Sequence, residues 1–136
     1  MVIRELRARE ASSAAALWEE TGLTRPWNDP VADFHRALDR AGSTILGGFD
    51  GERLIATAMV GHDGHRGWVY YLAVTPARQR EGHGRALMSA CEEWLVSRQV
   101  PKLNLMIRGS NEEAIGFYAA LGYATDDRVV MSKRLD

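Results

Sequence analysis

The chain is poor in features that would fix its class at once. Its only cysteine among 136 residues is Cys91, so no internal disulfide can form. A lone thiol suits a reducing compartment such as the cytoplasm. No apolar run approaches the roughly 18 residues of a membrane span. Formal net charge is −1, so no basic excess points to nucleic acid or to an acidic membrane. Met1 to Arg7 alternates apolar and charged residues, unlike a secretory leader. Repeats, linkers and low-complexity segments are missing. The histidines and carboxylate of His62, Asp63 and His65 have no further ligand at metal-site spacing, so no metal is expected. What remains is an ordinary globular composition, 46% hydrophobic and 26% charged, long enough for one domain over residues 1–136.

The most informative stretch runs from Trp68 to Ala86. Trp68 to Val74 is almost wholly apolar, rich in aromatic and β-branched residues, and reads as a strand buried on both faces. Pro76 stops it. Gly82 and Gly84 then precede an amphipathic helix. A strand, a glycine-containing turn and a helix present a row of backbone N–H groups to a phosphate, and the helix dipole adds about 0.3–1 kcal/mol per anionic group. The nucleotide-binding fingerprint G-x-G-x-x-G fails because Leu87 stands where the third small residue belongs. A Walker loop fails because no G-x-x-x-x-G-K-[ST] run exists.

The rest of the chain alternates helical and strand patterns. Residues 2–7 read as a half-wet strand and 10–21 as a helix burying Ala14, Leu17 and Trp18. Asp29 before Pro30 reads as an N-cap of a helix burying Phe34, Ala37 and Leu38. Strands at 43–49 and 53–62 are joined by the hairpin signal Asp50-Gly51, and a second turn at 63–67 leads into the strand at 68–74. The helix at about 84–99 carries the stripe Leu87, Met88, Cys91, Trp94 and Leu95, in which Cys91 is core filler. A strand at 102–107, a helix at 111–121 closed by Gly122, and a last strand or strand pair at 123–135 complete the chain.

Val74, Pro76, Gln79, Gly82 and Gly84 match the acyl-CoA loop pattern V-x-P-x-x-[QR]-x-x-G-x-[GA] without a gap. Asn111, Ala114, Phe117, Tyr118, Gly122 and Tyr123 match a second signature, N-x-x-A-x-x-[FY]-Y-x-x-x-G-[FY]. On both motifs, in this order, the chain resembles the GNAT N-acetyltransferases. Segments 25–30 and 61–67 resemble the YpeA-like bacterial subgroup. The resemblance implies an α/β (α+β) GNAT fold, with a mixed, mostly antiparallel sheet of six to seven strands and about four helices. It implies an acetyl-CoA-dependent N-acetyltransferase acting by direct attack in a ternary complex, as a monomer or a homodimer. By that resemblance the Leu72 N–H faces the thioester carbonyl and the Val74 backbone holds the pantetheine arm. Gln79, Arg80, Gly82, His83, Gly84 and Arg85 wrap the pyrophosphate, and Asn111 bonds the pantetheine or the departing cofactor. Tyr118 is the general acid at the sulfur; its ordinary pKa of about 10, against about 8.5 for a thiol, makes that role modest.

Two residues depart from the pattern. Glu81 stands where family members carry Lys or Arg, and Trp68 stands where several carry a glutamate base. Arg78 and Arg80 read either as phosphate partners or as a solvated basic loop. Trp27 and Asn28, in the connection that overhangs the acceptor channel in the family, are acceptor-site candidates set against simple loop packing. His62, Asp63 and His65 are acceptor-site or base candidates set against an ordinary solvated turn. Without a strong base, an amine that is often neutral is the better substrate. At pH 7.4 an α-amine is neutral roughly a fifth to a third of the time and a lysine about one time in a thousand. The expected acceptor is therefore a protein N-terminus or a small amine. A non-catalytic acyl-CoA-binding sensor is the alternative.

Overall fold

The computed structural model describes residues 1–136, and backbone contacts divide it into two compact units, Met1–Met106 and Ile107–Asp136. The first unit holds strands β1 (Val2–Glu5), β2 (Ser43–Asp50), β3 (Arg53–His62), β4 (Gly67–Val74) and β5 (Leu103–Asn104), and helices α1 (Ala11–Glu20), α2 (Pro30–Leu38) and α3 (His83–Val96). The second holds α4 (Glu112–Ala120). No helix is long and apolar enough to cross a membrane.

The sheet order is β1-β2-β3-β4-β5, antiparallel until the parallel β4–β5 pair. Its two faces are covered differently. Ile45 packs with Trp18, Phe34 and Ala37 from α1 and α2, whereas the next residue, Leu46, lines a groove with Ala90 and Trp94 of α3. Adjacent residues of a strand point to opposite faces, so α1 and α2 lie on one side and α3 on the other. Trp18 and Phe34 are fully buried, and burial of a side chain such as Phe34 contributes about 1.5–3 kcal/mol. Asp29 caps α2 as its sequence predicts, its carboxylate accepting from the Ala32 N–H at 3.1 Å, with Pro30 in the first turn. In α3 the expected stripe is buried at Leu87, Met88, Cys91 and Leu95.

Four expectations need correction. The sheet has five strands rather than six to seven. The strand expected at 102–107 pairs only through Leu103 and Asn104, opposite Gly67 and Trp68. Residues 124–136 form no strand. Val129, Val130 and Met131 have the right propensity, but a strand exists only where a neighbour takes its backbone hydrogen bonds, and these side chains are exposed. Finally, β4 is not buried on both faces: Trp68, Leu72 and Val74 are half-buried and Tyr70 is exposed.

A break in β4 explains part of that pattern. Thr57 pairs with Ala73 and Met59 with Tyr70, so between these pairs one residue of β3, Ala58, opposes two of β4, Tyr71 and Leu72. Thr57 and Met59 share a face, and therefore so do Tyr70 and Ala73, which an unbroken strand would place on opposite faces. The extra residue is accommodated at Tyr71, whose φ is 53°. This is a β-bulge, and it leaves Tyr71 and Leu72 without register partners.

Candidate cofactor and acceptor site

β4 ends at Val74, Thr75 follows, and Pro76–Arg78 form a single 3₁₀ turn. The Gln79 side-chain amide donates to the Val74 carbonyl at 3.1 Å and braces the loop on the strand end. Arg80 (φ 65°) and Gly82 (φ 85°) are both left-handed, so the chain turns twice before α3 begins. The N–H groups of Arg78 and Gln79 close the 3₁₀ turn, and that of Ala86 donates to the Gly82 carbonyl. Between them, the N–H groups of Arg80, Glu81, Gly82, His83, Gly84 and Arg85 donate to no group of the chain. Successive undonated amides beside left-handed residues and a helix N-terminus form a concavity suited to an anion.

The sequence made Glu81 an obstacle and left Arg78 undecided. The structure joins the two. Arg78 donates to Glu81 at 2.9 Å and to Asp50, at the β2–β3 turn, at 2.6 Å. His83 Nε2 lies 2.9 Å from the same Glu81 oxygen. The Arg78 guanidinium and the His83 ring hold the Glu81 carboxyl below its ordinary pKa. The Glu81 charge is thus turned aside onto two basic groups, and Arg78 is a brace rather than an unengaged cation.

At the other end of β4, the 62–67 hairpin turn is satisfied by itself. Asp63 Oδ1 accepts from the N–H groups of His65 (2.9 Å) and Arg66 (2.8 Å), and Oδ2 accepts from the Trp68 indole at 3.3 Å. These donors, the Arg66 and His65 amides foremost, lower the Asp63 pKa to about 2, which makes it a feeble proton acceptor. His62 Nδ1 accepts from the Gly64 N–H, and the His65 ring lies against Arg66. Five steps of strand lead from Gly67 to Leu72, about 16 Å at the usual rise. His62, Asp63 and His65 therefore stand far from Leu72.

Trp27 and Asn28 lie in the α1–α2 connection, and Trp27 is 57% exposed. That connection leads into α2, where Asp33 accepts a hydrogen bond from the Tyr71 hydroxyl at 2.8 Å. The α2 side, not the hairpin, is thus tied to the β4 bulge. Sequence reasoning missed Asp33 and Tyr71. An acidic residue in a helix's first turn and an aromatic in a strand are both unremarkable, and tyrosine gives no sign of a left-handed backbone.

In the second unit, Asn111 caps α4, its Oδ1 accepting from the Ala114 N–H at 3.1 Å. Tyr118 lies one turn beyond Ala114, with ring-edge contacts to Phe117 and Tyr123. Cys91, fully buried in α3, has its thiol pushed up to about 12 by burial and is no nucleophile.

Comparison with known proteins agrees with the geometry. The acetyltransferase (GNAT) family model matches residues 5–123. A protein of Yersinia enterocolitica named an acetyltransferase is 39% identical over 135 residues, covering 99% of this chain and 96% of that one. The ribosomal-protein-S18-alanine N-acetyltransferase of Escherichia coli superposes with a TM-score of 0.77 at 26% identity, over 89% of this chain and 76% of that one. The AAC(6')-Iy structure, solved with a CoA-based bisubstrate analogue, superposes at 0.83 over 98% of this chain and 97% of that one; at 15% identity it speaks for the fold alone.

Proposed function

The chain belongs to the GNAT acetyltransferase family, and from that premise we propose that residues 1–136 act as one domain that transfers an acetyl group from acetyl-CoA to a primary amine. The observation that carries the cofactor assignment is the run of undonated N–H groups from Arg80 to Arg85 at the start of α3. A pyrophosphate is the ligand such a cradle suits. Val74, Gln79, Arg80, Gly82, His83, Gly84 and Arg85 form the cofactor side. The Leu72 N–H, at the bulge, stabilises the oxyanion that develops as the amine nitrogen attacks the thioester carbon. The C–S bond then breaks; Tyr118 gives its proton to the departing thiolate, and the amine loses its own to solvent. Asn111 completes the pantetheine contacts.

The acceptor enters beside Trp27 and Asn28. His62, Asp63 and His65 can touch only the far end of an extended acceptor, given the roughly 16 Å of strand between them and Leu72. With Asp63 held near pKa 2, and His62 and His65 in the same distant turn, no strong base is supplied from there, which favours an α-amine, on a protein N-terminus or a small molecule, over lysine. The reaction fits a cytoplasmic setting, where acetyl-CoA is found.

Thermal unfolding with and without acetyl-CoA, paired with thiol release over a panel of peptides, polyamines and amino acids, tests the reading. A rise in Tm with thiol release on α-amines is expected. A rise without release on any amine would leave the acyl-CoA-binding sensor as the better description. No rise overturns the cofactor assignment. Tyr118→Phe is expected to lower kcat about 100-fold while the acetyl-CoA shift persists; unchanged turnover removes Tyr118 from the chemistry.

A further inference from the structure

Three side chains converge on the bulge residue Tyr71. Its ring stacks on that of Trp18, with centroids 3.9 Å apart and planes 15° from parallel. The Tyr71 hydroxyl donates to Asp33 Oδ2 at 2.8 Å. Its carbonyl accepts from the Thr57 hydroxyl at 2.9 Å, and the same oxygen of Thr57 accepts from the Trp18 indole N–H at 2.8 Å. Trp18 and Thr57 are fully buried, so this is a satisfied polar network inside the core. It holds a backbone conformation, φ 53°, that a tyrosine adopts only when its surroundings impose it. Each contact restrains one part of the residue: the ring plane by Trp18, the ring's far end by Asp33, the peptide carbonyl by Thr57.

The peptide whose carbonyl Thr57 holds is the one that carries the Leu72 N–H. Rotating it moves that N–H with it, because the peptide unit is planar. We propose that Trp18, Thr57 and Asp33, acting through Tyr71, are positioning residues that aim the Leu72 N–H at the acetyl carbonyl. The inference rests on the acetyl-CoA reading above. It adds a role for α1 and α2 in the chemical step: α2, which follows the connection carrying Trp27 and Asn28, reaches the bulge through the Asp33–Tyr71 bond.

The test uses acetyl-CoA labelled with ¹³C at the thioester carbonyl and reads its infrared band on the full-length protein. In the wild type the band lies at lower frequency than in free acetyl-CoA, because the Leu72 N–H donates to that oxygen. In Tyr71→Phe and Asp33→Ala the displacement is expected to fall by about half or more, with kcat about tenfold lower and the acetyl-CoA dissociation constant changed less than about threefold. Asp33→Asn keeps an acceptor oxygen for the Tyr71 hydroxyl and is expected to retain most of the displacement. Equal displacement in all four proteins overturns the proposal. If Asp33→Ala loses its fold by circular dichroism, Tyr71→Phe, lacking one oxygen, carries the test alone. A wild type that fails to bind acetyl-CoA overturns the cofactor reading and this inference with it. Binding with an undisplaced wild-type band overturns the inference alone.

Discussion

The two turns that flank β4 are built from nearly the same residues. Each has a left-handed glycine, Gly64 before the strand and Gly82 after it. Each has a carboxylate, a histidine and an arginine within a few positions: Asp63, His65 and Arg66 in one, Glu81, His83 and Arg78 in the other. They nevertheless do opposite things. In the hairpin, Asp63 folds back onto the amides of His65 and Arg66 and uses them up. In the loop, Arg78 and His83 draw Glu81 away, and six consecutive amides are left for a ligand. A turn's residue types do not make an anion site; what matters is whether its own carboxylate reaches its own N–H groups.

The largest test of this contrast substitutes the two glycines in parallel. A Cβ would meet nothing within 4 Å at either position, so the left-handed backbone alone resists a side chain. A β-branched residue there costs about 1–2 kcal/mol if the turn keeps its shape. Gly82→Val is expected to weaken acetyl-CoA binding about 100-fold, because a loop that relaxes its φ turns its amides away. Gly64→Val is expected to lower Tm and leave acetyl-CoA affinity within about twofold, since strain at the hairpin leaves the loop amides in place. Calorimetric titration of both variants decides it; equal losses of affinity would break the contrast.

A middle-sized effect concerns the brace. Arg78→Ala releases Glu81 beside the anion cradle, and acetyl-CoA affinity is expected to fall about tenfold at low salt and less at high salt. Adding Glu81→Gln to Arg78→Ala is expected to recover most of the loss. A double-mutant cycle that shows no coupling between the two would mean that Arg78 serves the loop only through Asp50.

The smallest effect is in the hairpin. The folded-state pKa of Asp63 is about 2, below its ordinary value, as is that of Glu10, which is paired with Arg4. A depressed pKa means stability that is complete above the unfolded value of about 4 and lost as pH falls towards 2. Asp63→Asn is expected to lower Tm by about 2–5 °C at pH 7 and to flatten the fall in Tm between about pH 4 and 2. A variant with the wild-type acid profile would show that the turn does not depend on its carboxylate.

Much of this was legible in the chain. Both signature motifs, the meander from Ser43 to Val74, the Asp29 cap and the apolar stripe of α3 all depend on neighbours a few residues apart, and local spacing reveals them. The sheet's far edge was not legible: Val129 to Met131 have the propensity for a strand, but pairing belongs to two segments and not to one. Nor was the bulge at Tyr71, since nothing in the run from Trp68 to Val74 marks a left-handed residue.

By itself the sequence determined the family, the glycine-containing loop before α3 and the order of elements as far as α4, because each is written in short-range pattern and glycine placement. Tertiary structure alone decided where the charges go and which backbone is held out of its preferred conformation. Asp50 reaches Arg78 across 28 residues, Asp33 reaches Tyr71 across 38, and Trp18 reaches Thr57 across 39. Such contacts form only once the sheet has brought distant residues together, and they set both the orientation of Glu81 and the bulge beside Leu72.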